Sequence, residues 1–221
     1  MNQPLSIPPE IILVKDSAKE QQTREQLLRL FERYRLDKWR YTSKIQIEER
    51  AIPHSHPVLT LGTQHVNDPG QLLGTYIHEQ MHWFLMLAEK FEHAKRARDE
   101  FRRMYPVLPV KLPEGCGSAF SNYLHIQINY LEYLGLIELL GAGEGRSVVE
   151  RITTHYTKIY TLVLQDNERI GKVMTRHNLI PMDSPPQTKS FIAPWNSTAL
   201  RETLGYFFRQ RLAGLFNQVK A

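Results

Sequence analysis

His78-Glu79-Gln80-Met81-His82 places two imidazoles four residues apart with a carboxylate directly after the first. On a helix, residues four apart share a face, so both rings can reach one tetrahedral Zn²⁺. Glu79 then stands beside the metal's open position. From there it can take a proton from an attacking water and later deliver it to a leaving amine. The five residues are an instance of HExxH, and they lie in the most apolar stretch of the chain. Burying three ionisable side chains in such a stretch is costly unless they have a role.

The surrounding pattern supplies the helix. Asp68-Pro69 is a helix start, because proline at the first helical position forfeits no needed hydrogen bond. From 71 to about 103 no proline or turn signal intervenes, so the pattern predicts one long helix. Its first half is apolar nearly all round, as expected of a helix running through the middle of a domain. Beyond Glu89 only Phe91, Ala94, Ala97 and Phe101 keep the stripe.

Upstream, residues 1–15 read as an extended arm punctuated by Pro4, Pro8 and Pro9. Ser17 and Glu20 fit a capping box for a helix running to about residue 38. Lys44-Ile45-Gln46-Ile47-Glu48 alternates as a half-exposed strand, and Val58-Leu59-Thr60-Leu61 follows as a second one after the turn-like PHSHP. Downstream, helices are predicted over about 118–140, 147–164 (from a second capping box at Ser147) and 168–176. A proline-rich loop and an amphipathic helix over about 198–217 complete the chain. The fold class read from this inventory is α+β, mainly helical, in a single domain over 1–221.

At these residues the sequence resembles the zincin superfamily of metallopeptidases, zinc hydrolases built around an HExxH helix. The resemblance covers roughly 44–135, where a small sheet precedes the motif helix. It implies one Zn²⁺, a peptide or protein substrate, and an edge strand lying along the substrate cleft. Val58, Leu59, Thr60 and Leu61 take that place here, pairing with an extended peptide by strand addition.

The third zinc ligand is open. His82 is followed by Trp83-Phe84-Leu85, without the glycine and histidine of a metzincin extension, so a gluzincin-like Glu on a later helix is the favoured arrangement. Glu114, in P-E-G-C-G, looks like the glutamate-glycine motif of some aminopeptidases. It would lie about 30 Å from His82, however, if the motif helix continues to residue 103 at 1.5 Å per residue. A third helix folding back antiparallel brings its later residues toward His82, which favours Glu132 over His125. The two are seven residues apart and face the same way, so His125 becomes a neighbouring or substrate-binding group, or else the ligand in place of Glu132. His155, beside Tyr156, is the candidate for stabilising the oxyanion formed at a scissile carbonyl. His54 and His56 either line the cleft or form a structured turn.

The remaining composition restricts the alternatives. The 221 residues include nine histidines but only Cys116 as a thiol, which excludes a disulfide framework and a thiolate metal cage. The N-terminus lacks a secretory pattern and no span is apolar enough to cross a bilayer, so the expectation is a cytoplasmic protein with no membrane partner. The net charge of +5 is modest. The basic run Lys95, Arg96, Arg98, Arg102 and Arg103 is interleaved with Glu92, Asp99 and Glu100, which argues against a nucleic-acid surface. Two other readings stand beside the peptidase: a zinc-binding regulatory protein without turnover, and a basic interaction protein.

Overall fold

The computed structural model describes residues 8–182. The predicted loop and helix beyond 182 lie outside the described residues, as do residues 1–7. The strands are β1 (Glu10–Leu13), β2 (Lys44–Ile47) and β3 (Leu59–Leu61). The helices are α1 (Ala18–Arg33), α2 (Pro69–Leu85), α3 (Ala88–Met104), α4 (Ala119–Leu140), α5 (Ala142–Glu150), α6 (Thr157–Gln165) and α7 (Asn167–Arg176). The described residues are thus mainly helical with a small sheet near the N-terminal end, an α+β arrangement. None of these helices is long and apolar enough to cross a membrane.

All three strands run parallel in the order β1-β2-β3, with Ile45 opposite both Ile11 and Leu59. The arm expected over 1–15 therefore contributes a strand. Ile45, Ile47, Leu59 and Leu61 are fully buried and seat the sheet on the helical layer. Parallel neighbours require a crossover, and α1 supplies it between β1 and β2. Ser17 caps α1 by accepting from the Glu20 N–H at 3.3 Å. The Glu20 carboxylate takes the backbone N–H of Ser17 in return, as the capping pattern predicts, and it has further partners. It accepts from Lys15 N–H at 2.9 Å and Glu49 N–H at 2.8 Å, tying the end of β1 to the end of β2.

α2 begins as its sequence predicts, with Asp68 accepting from the Gln71 N–H at 3.0 Å and Pro69 in the first turn. The long helix expected over 71–103 is instead two helices. Leu87, fully buried in extended backbone (φ −56°, ψ 137°), separates α2 from α3. No proline or glycine marks the break. Side-chain packing produces it: α2 is buried nearly all round, whereas α3 buries only the stripe that includes Ala94, Ala97 and Phe101.

α4 is the central helix. It starts at the Ser118 cap, ends at Gly141, and packs against α2, α3, α5, α6 and α7. Its pairing with α5 is close: a Cβ on Gly145 would lie 2.6 Å from the Ile137 backbone nitrogen, so only glycine fits. The helix predicted over 147–164 is also two helices. Ser147 sits inside α5, and residues 151–156 form an irregular bend before α6. The bend contains β-branched Ile152, Thr153 and Thr154, poor helix formers.

Candidate metal centre

α2 and α4 together build the site. His78 and His82, one turn apart on α2, have ring centroids 5.3 Å apart. His125 projects from α4 to complete a triangle, 5.5 Å from the His78 ring and 5.4 Å from the His82 ring. One ring nitrogen from each lies within 4.8 Å of the other two, a grouping that could hold a metal ion. Tetrahedral Zn–N bonds of about 2.1 Å put nitrogens about 3.4 Å apart, so small side-chain shifts suffice. The residues His78, Glu79, His82, His125 and Glu132 retain 8, 5, 5, 2 and 2% exposure respectively.

Burial fixes the protonation states that metal binding needs. It pushes the His78 and His125 pKa values down to about 3, and His78 adds to the depression of His125. His82 is held well below its usual value by burial, then by the charges of His78, His125 and His56. All three rings are therefore neutral near pH 7, the form that donates a lone pair.

Hydrogen bonds choose the nitrogen. Nδ1 of His125 lies 2.8 Å from the Ser121 carbonyl oxygen, so Nδ1 carries the proton and Nε2 carries the lone pair. Nδ1 of His78 lies 2.9 Å from Glu132 Oε2, the same oxygen that accepts from the Tyr160 hydroxyl at 2.7 Å. A carboxylate holding the far nitrogen of a metal-binding histidine sets its tautomer and ring orientation. Glu132 thus stands behind His78, and the third imidazole of the cluster comes from His125.

The break at Leu87 accounts for this register. A helix continuing to residue 103 would require a long return before α4 met His82. With α2 ending at Leu85, the second turn of α4 already reaches His82, and the turns around Glu132 reach His78 and Gly74. A Cβ on Gly74 would stand 3.1 Å from Glu132 Oε1, so the missing side chain leaves room for the carboxylate.

Glu79 shares this apolar volume. Its Oε2 is buried without a hydrogen-bond partner among the described residues, and burial followed by the charge of Glu132 raises its pKa well above the usual carboxylate range. Burial likewise lifts Glu132 to about 8 against the opposing Tyr160 hydrogen bond. A buried, orphaned carboxylate oxygen on the residue next to His78 fits a cation held by the imidazole cluster, because a dication nearby would compensate the buried charge.

The other predicted residues are distributed as follows. Glu114 is exposed, and its carbonyl accepts from Lys158 N–H at 3.1 Å near the start of α6. His155 lies in the 151–156 bend rather than on a helix, exposed, with Nδ1 3.1 Å from Thr154 Oγ1. Its neighbour Tyr156 lies closer to the triad: the ring is 4.5 Å from His125 and 6.4 Å from His78. Tyr156 has left-handed backbone (φ 53°), and the next two residues are held by Pro113 and Glu114 carbonyls. Such strain in a bulky residue persists only where its surroundings impose it. Tyr160 was not legible as a site residue, since on α6 it carries only an ordinary helical apolar spacing.

Leu59, Thr60 and Leu61 are buried in β3, with Val58 just before it. The outer edge is taken at Thr60: His54 N–H donates to the Thr60 carbonyl at 3.0 Å, and Thr60 N–H donates to the His54 carbonyl at 2.8 Å. His54 and His56 are thus in a structured turn. The basic run on α3 is partly engaged as well, with Arg98 over Phe120 and Arg102 over Tyr123.

No family model, curated protein or solved structure matches the chain.

Proposed function

We propose that the chain is a zincin-like, zinc-dependent metallopeptidase whose metal ligands are His78, His82 and His125. The observation that carries this reading is Glu79. Its buried Oε2, without a hydrogen-bond partner among the described residues, belongs to the residue that follows directly on the first of three neutral imidazoles. When bound, Zn²⁺ would supply Lewis acidity, polarising a carbonyl oxygen and acidifying water.

Glu79 accepts a proton from the attacking water and hands it to the leaving amine, breaking the C–N bond as the carboxyl product forms. Burial and the charge of Glu132 raise its pKa, which makes the ionised carboxylate a stronger base than an ordinary one. Glu132 and Tyr160 hold His78 in register, and Tyr156 and His155 face the developing carbonyl oxyanion from the 151–156 bend. Glu79→Gln tests the reading. Zinc content should remain stoichiometric while peptide turnover falls on the order of 10²- to 10⁴-fold. Unchanged turnover would refute it.

One observation favours zinc binding without turnover: the outer edge of β3 is occupied at Thr60 by the chain itself. That reading predicts zinc in both proteins and no Glu79-dependent cleavage of any peptide.

A further inference from the structure

A closed β-edge beside the metal centre raises the question of what the edge is for. β3 is bonded to β2 along one side, where Glu48 N–H donates to the Leu61 carbonyl at 3.0 Å. On the other side, both main-chain groups of Thr60 are matched by His54 in antiparallel fashion. The covering segment is anchored to α2 immediately after the second histidine of the motif. Trp83 Nε1–H donates to the Ser55 carbonyl at 2.8 Å, and the His56 ring stacks on Trp83 with centroids 4.2 Å apart. Ser55 is fully buried, and its hydroxyl lies 2.8 Å from His56 Nδ1. His56 Nε2 is buried with no hydrogen-bond partner among the described residues.

We propose that residues 53–57 are a self-inhibitory strap: His54 fills the antiparallel place of an extended peptide on β3, and Trp83 latches it beside the metal centre. The claim rests on the zinc peptidase reading and extends it to substrate class and regulation. The substrate is an extended polypeptide segment, recognised through its main chain by Thr60, and it enters only when the strap lifts. Main-chain pairing selects for extended conformation more than for sequence. The latch is one hydrogen bond and one ring stack, weak enough for a competing strand to displace.

The test uses the zinc-loaded full chain and a pool of unstructured hexapeptides carrying a fluorophore and quencher. Trp83→Phe keeps an aromatic ring but removes the Nε1–H donor. It should raise kcat/KM about three- to tenfold and speed Thr60 amide exchange by a similar factor, with zinc content unchanged. The second variant is the double substitution His54→Cys, Thr60→Cys. The two positions form a hydrogen-bonded antiparallel pair, whose Cα separation of about 5.5 Å permits a disulfide. Cys116, the sole native thiol, is buried and does not compete. The oxidised pair should lose peptide cleavage and regain it on reduction by a phosphine. Equal cleavage by oxidised and reduced protein would overturn the strap. If no form cleaves peptide, the peptidase reading has failed, and binding of the same pool decides the strap. Binding should be tighter to Trp83→Phe and absent from the oxidised pair, and equal binding by all forms would overturn it.

Discussion

Glu132 Oε2 lies 2.9 Å from His78 Nδ1, so this α4 carboxylate meets the His78 ring on the side away from Nε2. With Nδ1 engaged, His78 offers Nε2 to the triad, and the carboxylate acts through the ring it orients. Replacing Glu132 by Ala should weaken zinc binding about 10- to 100-fold without abolishing it, measured by competition with a chromophoric chelator. Tyr160→Phe removes only the second donor to that oxygen and should have a smaller effect in the same direction. Loss of zinc from Glu132→Ala as complete as from His78→Ala would show instead that the carboxylate is itself a ligand.

Gly74→Ala probes the same relationship from the other side. The new methyl would stand 3.1 Å from Glu132 Oε1, forcing the carboxylate to shift by a few tenths of an ångström. Alanine is the better helix former by about 0.5–1 kcal/mol, so thermal stability should not fall much. Zinc affinity should fall several-fold. A variant with wild-type zinc affinity would show that the position of Glu132 is not critical.

Tyr156 and His155 make separable predictions. Tyr156 packs on His125, whereas His155 is exposed in the bend. Tyr156→Phe should keep zinc and lower kcat about 10²-fold, the usual scale for one lost oxyanion donor. His155→Ala should have the smaller effect. The reverse order in steady-state kinetics would assign the oxyanion to His155.

The broad layout of this site was legible in the sequence, but which α4 residue joins His78 and His82 was not. The Asp68-Pro69 start places the beginning of α2, the helical pattern over 118–140 places α4, and the four-residue spacing places His78 and His82 on one face. The seven-residue spacing likewise puts His125 and Glu132 on the face that meets α2. What could not be read was the break at Leu87, made by packing in a segment with no helix breaker. That break sets the register of α4 against α2, so that His125 joins the imidazole cluster and Glu132 bonds to Nδ1 of His78. The bend at 151–156 was hidden for a similar reason, since the capping pattern at Ser147 occurs within a helix. β1 is short and follows two prolines, and only its partner β2 makes it a strand.

Away from the metal centre, Glu20 predicts a pH dependence of stability. Burial raises its pKa, but the N–H groups of Glu49, Lys15, Ser17 and Asp16 outweigh that effect and leave it below 4.5. A carboxyl whose pKa is lower folded than unfolded stabilises the fold above the unfolded pKa. That contribution disappears as pH falls through the folded value. Thermal unfolding from pH 6 to pH 3 should show wild-type Tm falling more steeply than that of Glu20→Gln, with the gap largest above pH 5. Parallel curves would remove Glu20 from the account.

The proposed metal centre is defined by its ligand set. X-ray absorption at the zinc edge of the full chain, loaded with one equivalent of metal, reads that set directly through the multiple scattering of imidazole rings. Three imidazoles are predicted in wild type, still three in Glu132→Ala at saturating zinc, and two in His125→Ala. Failure to bind zinc stoichiometrically, or a wild-type spectrum with two imidazoles and a carboxylate that is lost in Glu132→Ala, would contradict it.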